Sequence, residues 1–235
     1  MNLPNGITVA RIAVAPLIAV LAVTPSWPLR LVAFVLFVAA AITDYVDGKL
    51  ARDRNLVTNL GRMLDPAADK MLLLATLLPM YALQGYGPDG APPPSLASFL
   101  PATWRDPAPF LTPYGPIGLP LWVLVVVVGR EVFMTVFRQA AAARGIIISA
   151  IRSAKLKTGF QWTWIGTALF WFAALRAAEV YGWTGRPLWH AAAIFIGIVG
   201  VGAMAGAVSL TFYSLAQYLR RYGGVVAHRA DHNRG

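Results

Sequence analysis

The chain has 235 residues and no cysteine, with 57% hydrophobic and only 13% charged residues. A soluble domain carries about 25% charged residues, so disorder, a disulfide-stapled secreted module and an ordinary soluble enzyme are excluded. Twenty lysines and arginines against ten acids give +10, and the apolar excess assigns that charge to an anionic membrane rather than to nucleic acid.

Six apolar stretches approach the roughly 20 residues that a bilayer core requires. They are 7–23, 29–46, 69–83, 117–137, 158–180 and 189–218, and they predict an all-α integral membrane protein with six transmembrane helices. No lysine or arginine precedes the first stretch and Arg11 interrupts it, so it reads as a span and not as a cleaved signal. The third is short and borrows 65–68 to cross. Between the third and fourth, 84–116 is rich in proline and glycine and predicts an irregular extracytoplasmic spacer. Residues 1–222 form one transmembrane domain, and 223–235 a flexible cytoplasmic tail. No internal repeat is visible, which gives an inverted-repeat transporter no support.

Orientation follows from the basic residues. Of the 20, Arg30, Arg105, Arg176 and Arg186 fall at one set of span ends. Arg11, Lys70 and Arg130 lie within or beside spans near the opposite face, and the remaining 13 lie in the loops and tail of that face. That face is cytoplasmic, and both termini are inside.

Half of the ten acids sit between positions 44 and 69: Asp44, Asp47, Asp53, Asp65 and Asp69. Each ionisable group at membrane depth costs about 2.5–3.5 kcal/mol. Asp44 and Asp47 are spaced i, i+3 and Asp65 and Asp69 i, i+4, so each pair shares a helix face. The first pair is expected at a helix C-terminus, where negative charge is disfavoured. Singly, Asp65 before Pro66 reads as an N-cap, and Asp53 between Arg52 and Arg54 as a solvated loop charge. Jointly, four aspartates on two consecutive antiparallel spans make a hard oxygen cage suited to Mg²⁺ or Mn²⁺. Gly48, Ala51 and Gly61 leave room beside it, and Arg52 offers a planar fork to a phosphate.

A second group is basic. Arg130 and Arg138 are two turns apart and share a face of the fourth span. Arg130 sits in an apolar run and needs a partner; Glu131 follows it but is expected to face elsewhere. Arg144 and Arg152 read as cytoplasmic anchors.

The run from Asp44 to Asp69 matches D-x-x-D-G-x-x-A-R-x(8)-G-x-x-x-D-x-x-x-D at every fixed position, and so resembles the CDP-alcohol phosphotransferase family. Asn2, Leu3, Pro4 and Asn5 with Thr8 and Arg11 resemble the opening of bacterial phosphatidylglycerophosphate synthases. Gly129, Arg130 and Glu131 with Arg138, and the run Lys155, Lys157, Thr158 and Gln161, carry the same resemblance.

The resemblance implies a metal-dependent transfer of the phosphatidyl group from CDP-diacylglycerol to sn-glycerol 3-phosphate, releasing CMP. Asp44, Asp47, Asp65 and Asp69 would hold two Mg²⁺ or Mn²⁺ ions, with Asp69 also the catalytic base. Gly48, Ala51, Arg52 and Gly61 would line the CDP site. Arg130, Arg138 and Lys157, with Lys155 and Arg11, would bind the acceptor phosphate, although Arg11 also fits a bracing role. The enzyme would be a homodimer in the bacterial cytoplasmic (inner) membrane, its site at the cytoplasmic face. Gly202 and Gly206 permit close helix contact, within one protomer or between two. Phosphatidylglycerol or inositol phosphate as acceptor is the alternative within the family. A divalent-cation carrier is the alternative outside it, but it needs acids along the whole path.

Overall fold

In a computed structural model, the described residues are 3–53, 59–84, 104, 106, 109–146, 148 and 151–231. The side chains of 3–5, 45, 47–53, 59–63, 65, 152 and 223–231 fall outside the description. The elements are helices α1 (Leu3–Val23), α2 (Trp27–Asp53) and α3 (Asn59–Leu83), a hairpin of β1 (Phe110–Thr112) and β2 (Gly115–Ile117), and helices α4 (Leu121–Ala142), α5 (Arg152–Val180) and α6 (Pro187–Asp231).

Local chemistry sets the helix ends. The Ser26 carbonyl accepts from the Arg30 N–H, so Ser26 caps α2, with Pro28 in its first turn. Arg186 does the same for α6, with Pro187 at its first position. α4 and α5 both end in Schellman turns. Gly145 (φ 73°) and Gly182 (φ 67°) take the left-handed conformation, and the following N–H groups reach back to the Ala141 and Ala178 carbonyls.

Two expected boundaries differ. α2 runs nine residues past Asp44, to Asp53, because Lys49, Leu50, Ala51 and Arg52 are good helix formers. Asp44 and Asp47 therefore lie inside a helix, beyond the last turn where the macrodipole acts. α3 starts at Asn59, so Asp65 is not its cap and Pro66 lies within it. Pro66 is exposed, which places its missing N–H bond on an outward face.

α1, α2 and α6 contain stretches long and apolar enough to cross a membrane: Gly6–Val23, Trp27–Asp44 and Pro187–Tyr222. Large apolar side chains such as Val20, Val35, Ile42 and Phe195 are more than half exposed along them, as lipid contact requires. Six spans were expected; the described residues form six helices, of which three are long and apolar enough to cross a membrane. α3, α4 and α5 carry the charges of the candidate site.

The chain divides into two compact units. One comprises Met1–Pro120 and Ile165–Val201, the other Leu121–Trp164 and Gly202–Gly235, so α5 and α6 each contribute to both. In the first, α1 packs on α2 and α3. Within 84–120, the described residues make specific contacts. The Gln84 amide pairs in both directions with the Leu119 backbone at 2.7 Å, and the Asp106 N–H donates to the Leu83 carbonyl at 2.8 Å. Pro113 and Tyr114 make the hairpin turn, and Gly115 takes φ 118°. Phe110 is fully buried. The hairpin comes so close to α6 that a Cβ at Gly197 would lie 1.8 Å from the Leu111 carbonyl oxygen, and one at Gly200 2.1 Å from the Phe110 ring.

A buried ion cluster fastens this segment. Asp106 pairs with Arg30, and its other oxygen lies 2.6 Å from Arg176 Nε. Arg30 also donates to the carbonyls of Thr24, Trp104 and Phe172. Burial pushes the Asp106 carboxyl above the usual carboxylate range, while Arg30 and Arg176 pull it down. Such a cluster adds little net stability, but removing one partner strands a buried charge. Asp106→Ala is expected to cost about 3–5 kcal/mol, read as a lower thermal midpoint in detergent, and Arg30→Met with Asp106→Leu to recover part of it. An unchanged midpoint in Asp106→Ala would contradict the fastening role.

Candidate active site

Arg11 lies under the aspartates. α1 places its guanidinium against α2 and α3, where NH1 pairs with Asp44 Oδ1 and lies 3.5 Å from Asp69 Oδ1. The Arg11 side chain is 2% exposed, whereas those of Asp44 and Asp69 are 33% and 55% exposed. The cation is therefore buried beneath two carboxylates that stay accessible. The geometry puts Arg11 in the bracing position.

Helical spacing puts Asp47 on the Asp44 face and Asp65 on the Asp69 face. The side chains of Asp47, Asp65 and Arg52, and the surroundings of Gly48, Ala51 and Gly61, lie outside the described residues. Among the described residues no group of three or more acids or histidines gathers. The two described members nevertheless bring hard oxygen donors from separate helices to one point. Carboxylate oxygens are the donor type that Mg²⁺ or Mn²⁺ takes.

In the other unit, α4 and α5 carry the basic group. Arg130 and Lys157 are buried, at 8% and 4% exposure, and Lys155 is exposed. Arg130 donates to Ser214 Oγ at 3.2 Å, and Arg138 to the Tyr218 hydroxyl at 3.3 Å. The Arg138 guanidinium also stands 5.7 Å from the centre of the Tyr218 ring. Arg130 and Arg138 thus meet one face of α6, at i, i+4. Ser153 Oγ reaches Gln217 Oε1 at 2.7 Å, and the Ile151 N–H reaches the Tyr218 hydroxyl.

Glu131 corrects the expectation that it faces elsewhere. Its Oε1 accepts from Arg130 NH1 at 2.9 Å and from Lys157 Nζ. Adjacent helical positions diverge at Cβ, but the long arginine and glutamate stems bend back towards each other. Ser214, Gln217 and Tyr218 were not among the expected site residues. Their signal was polar groups at spacings of three and four in an apolar helix.

The sequence profile of the CDP-alcohol phosphatidyltransferase family matches residues 1–199. The chain belongs to that family. It is 34% identical over 172 residues to a CDP-diacylglycerol–glycerol-3-phosphate 3-phosphatidyltransferase of Bacillus subtilis (strain 168), covering 68% of this chain and 72% of that protein. A protein of the same name from Rickettsia bellii (strain RML369-C) is 51% identical over 72 residues, 31% of this chain and 40% of that one. A cardiolipin synthase (CMP-forming) of Streptomyces coelicolor is 27% identical over 215 residues, covering 83% and 81%.

The buried Tyr218 gives a direct check on how this CDP-alcohol phosphatidyltransferase holds Arg138. Tyr218→Phe keeps the ring but removes the hydroxyl, and is expected to cost about 0.5–1.5 kcal/mol. Tyr218→Ala is expected to cost about 3–5 kcal/mol. Denaturant unfolding in detergent measures both, and a neutral Tyr218→Phe would show that the hydroxyl contacts contribute nothing.

Proposed function

We propose that this protein transfers the phosphatidyl group of CDP-diacylglycerol to the 1-hydroxyl of sn-glycerol 3-phosphate, forming phosphatidylglycerophosphate and releasing CMP. The observation that carries this reading is the convergence of Asp44 and Asp69 on Arg11 with both carboxylates accessible, in a chain whose relatives are named for that reaction.

Asp44, Asp47, Asp65 and Asp69 are the residues that would hold two Mg²⁺ or Mn²⁺ ions. Bound there, the ions supply Lewis-acid neutralisation of the diphosphate. Arg52 donates to the same diphosphate, and Gly48, Ala51 and Gly61 leave the cytidine nucleotide room to approach the backbone. Asp69 accepts the proton of the attacking hydroxyl, within about 2.6–3.2 Å of it. The new phosphorus–oxygen bond forms as the bond to CMP breaks. With no cysteine in the chain, single displacement needs no covalent enzyme intermediate. Arg130, Arg138 and Lys157, assisted by Lys155, bind the acceptor phosphate, and Arg11 braces the aspartates.

The six helices cross the bacterial inner membrane with both termini and the site at the cytoplasmic face, as the distribution of basic residues supports. The working unit is a homodimer. Gly206 already serves packing within the protomer, since a Cβ there would stand 2.7 Å from the Phe160 ring, which leaves Gly202 as the candidate dimer contact.

The Streptomyces coelicolor relative favours a second reading, in which phosphatidylglycerol is the acceptor. CMP release by the purified protein in detergent, with CDP-diacylglycerol and Mg²⁺, separates the two. Glycerol 3-phosphate, phosphatidylglycerol, inositol phosphate and serine are offered in turn. Release is expected with glycerol 3-phosphate, to be abolished by EDTA and to fall about 10²–10⁴-fold in Asp69→Asn. Release with phosphatidylglycerol alone would establish the second reading and remove the role given to the basic group.

A further inference from the structure

Two buried cations share one carboxylate oxygen. Arg130 NH1 and Lys157 Nζ both donate to Glu131 Oε1. The side chains of Arg130 and Lys157 are 7% and 5% exposed, and that of Glu131 is 23% exposed. Ser214 holds the second terminal nitrogen of Arg130, while its Nε is buried with no hydrogen-bond partner. The guanidinium is thus gripped at both terminal nitrogens and keeps a donor in reserve.

Charge explains why the carboxylate is needed. Two like charges held together out of water repel strongly. Lys157 also hangs on a flexible stem that loses rotamer freedom when it is held in one place. One carboxylate oxygen between them offsets the repulsion and fixes the lysine. The trio retains a net charge of one positive, so it still attracts an anion.

We propose that Glu131 is a positioning residue for the acceptor phosphate: by sharing one oxygen between Arg130 and Lys157 it sets the two cations as a preorganised pair. Glu131 touches the cations and not the reacting atoms, so its effect falls on acceptor binding. This inference rests on the acceptor role proposed for the basic group.

Steady-state kinetics test it, with glycerol 3-phosphate varied at saturating CDP-diacylglycerol. Glu131→Gln keeps the shape and removes the charge. Its KM for glycerol 3-phosphate is expected to rise about 10- to 100-fold, the loss of one charged hydrogen bond, with kcat within about threefold. KM for CDP-diacylglycerol stays unchanged. Glu131→Asp restores the charge one methylene short and recovers part of the affinity; should Glu131→Gln fail to fold, Glu131→Asp carries the test through its own rise in acceptor KM. A fall in kcat at constant acceptor KM, or no change in a folded variant, overturns the proposal. Lys157→Met and Arg130→Gln separate it from the reading beneath it. If neither raises the acceptor KM, the acceptor site itself is misassigned. If both do and Glu131→Gln does not, only the positioning role fails.

Discussion

A buried guanidinium beneath two accessible carboxylates is the constraint on which the first three helices depend. Arg11 interrupts an apolar helix, and a lone charge there costs several kcal/mol. Its cost is met by Asp44 from α2 and Asp69 from α3. The pairing fixes how the three helices are rotated about their own axes. It also gathers carboxylates that would otherwise repel each other, the donor set that the proposed divalent cation would need. The same contact therefore serves packing and chemistry.

The chain has only ten acids, and several of the described ones answer buried cations. Asp44 answers Arg11, Asp106 answers Arg30, and Glu131 answers Arg130 and Lys157. The Arg11–Asp44, Arg30–Asp106 and Lys157–Glu131 pairs also join segments far apart in sequence. Asp106 is tied to α2 and α5, and Glu131 ties α4 to α5. In an apolar chain such pairs are specific because a slipped register would leave a charge stranded. Arg30 and Arg176 illustrate this. In the proposed topology they are extracytoplasmic charges that run against the positive-inside trend, and in the structure both form ion pairs with Asp106.

The four aspartates stood out because their signal is short-range: spacings of three and four within single helices. Glu131 was misjudged because Cβ directions alone do not limit two long side chains. The hairpin was hidden by a composition that reads as loop, although Pro113, Tyr114 and Gly115 spelled its turn. The partnership of Asp106 with Arg30 spans 76 positions, and no local pattern encodes it. The span count shows the opposite tension. α3 falls short of a plainly apolar helix because it carries Asp69 and Lys70, and α4 because it carries Arg130, Glu131 and Arg138, whereas α5 is diluted by Gln161 and by its threonines and tryptophans.

The central claim is that the α2 and α3 aspartates form one divalent-cation site. Mn²⁺ binding to the purified protein in detergent, followed by electron paramagnetic resonance, tests it most directly. The account predicts saturable Mn²⁺ binding that Mg²⁺ displaces and that Asp44→Asn and Asp65→Asn each abolish in folded protein. Mn²⁺ bound equally well by wild type and both variants would contradict it.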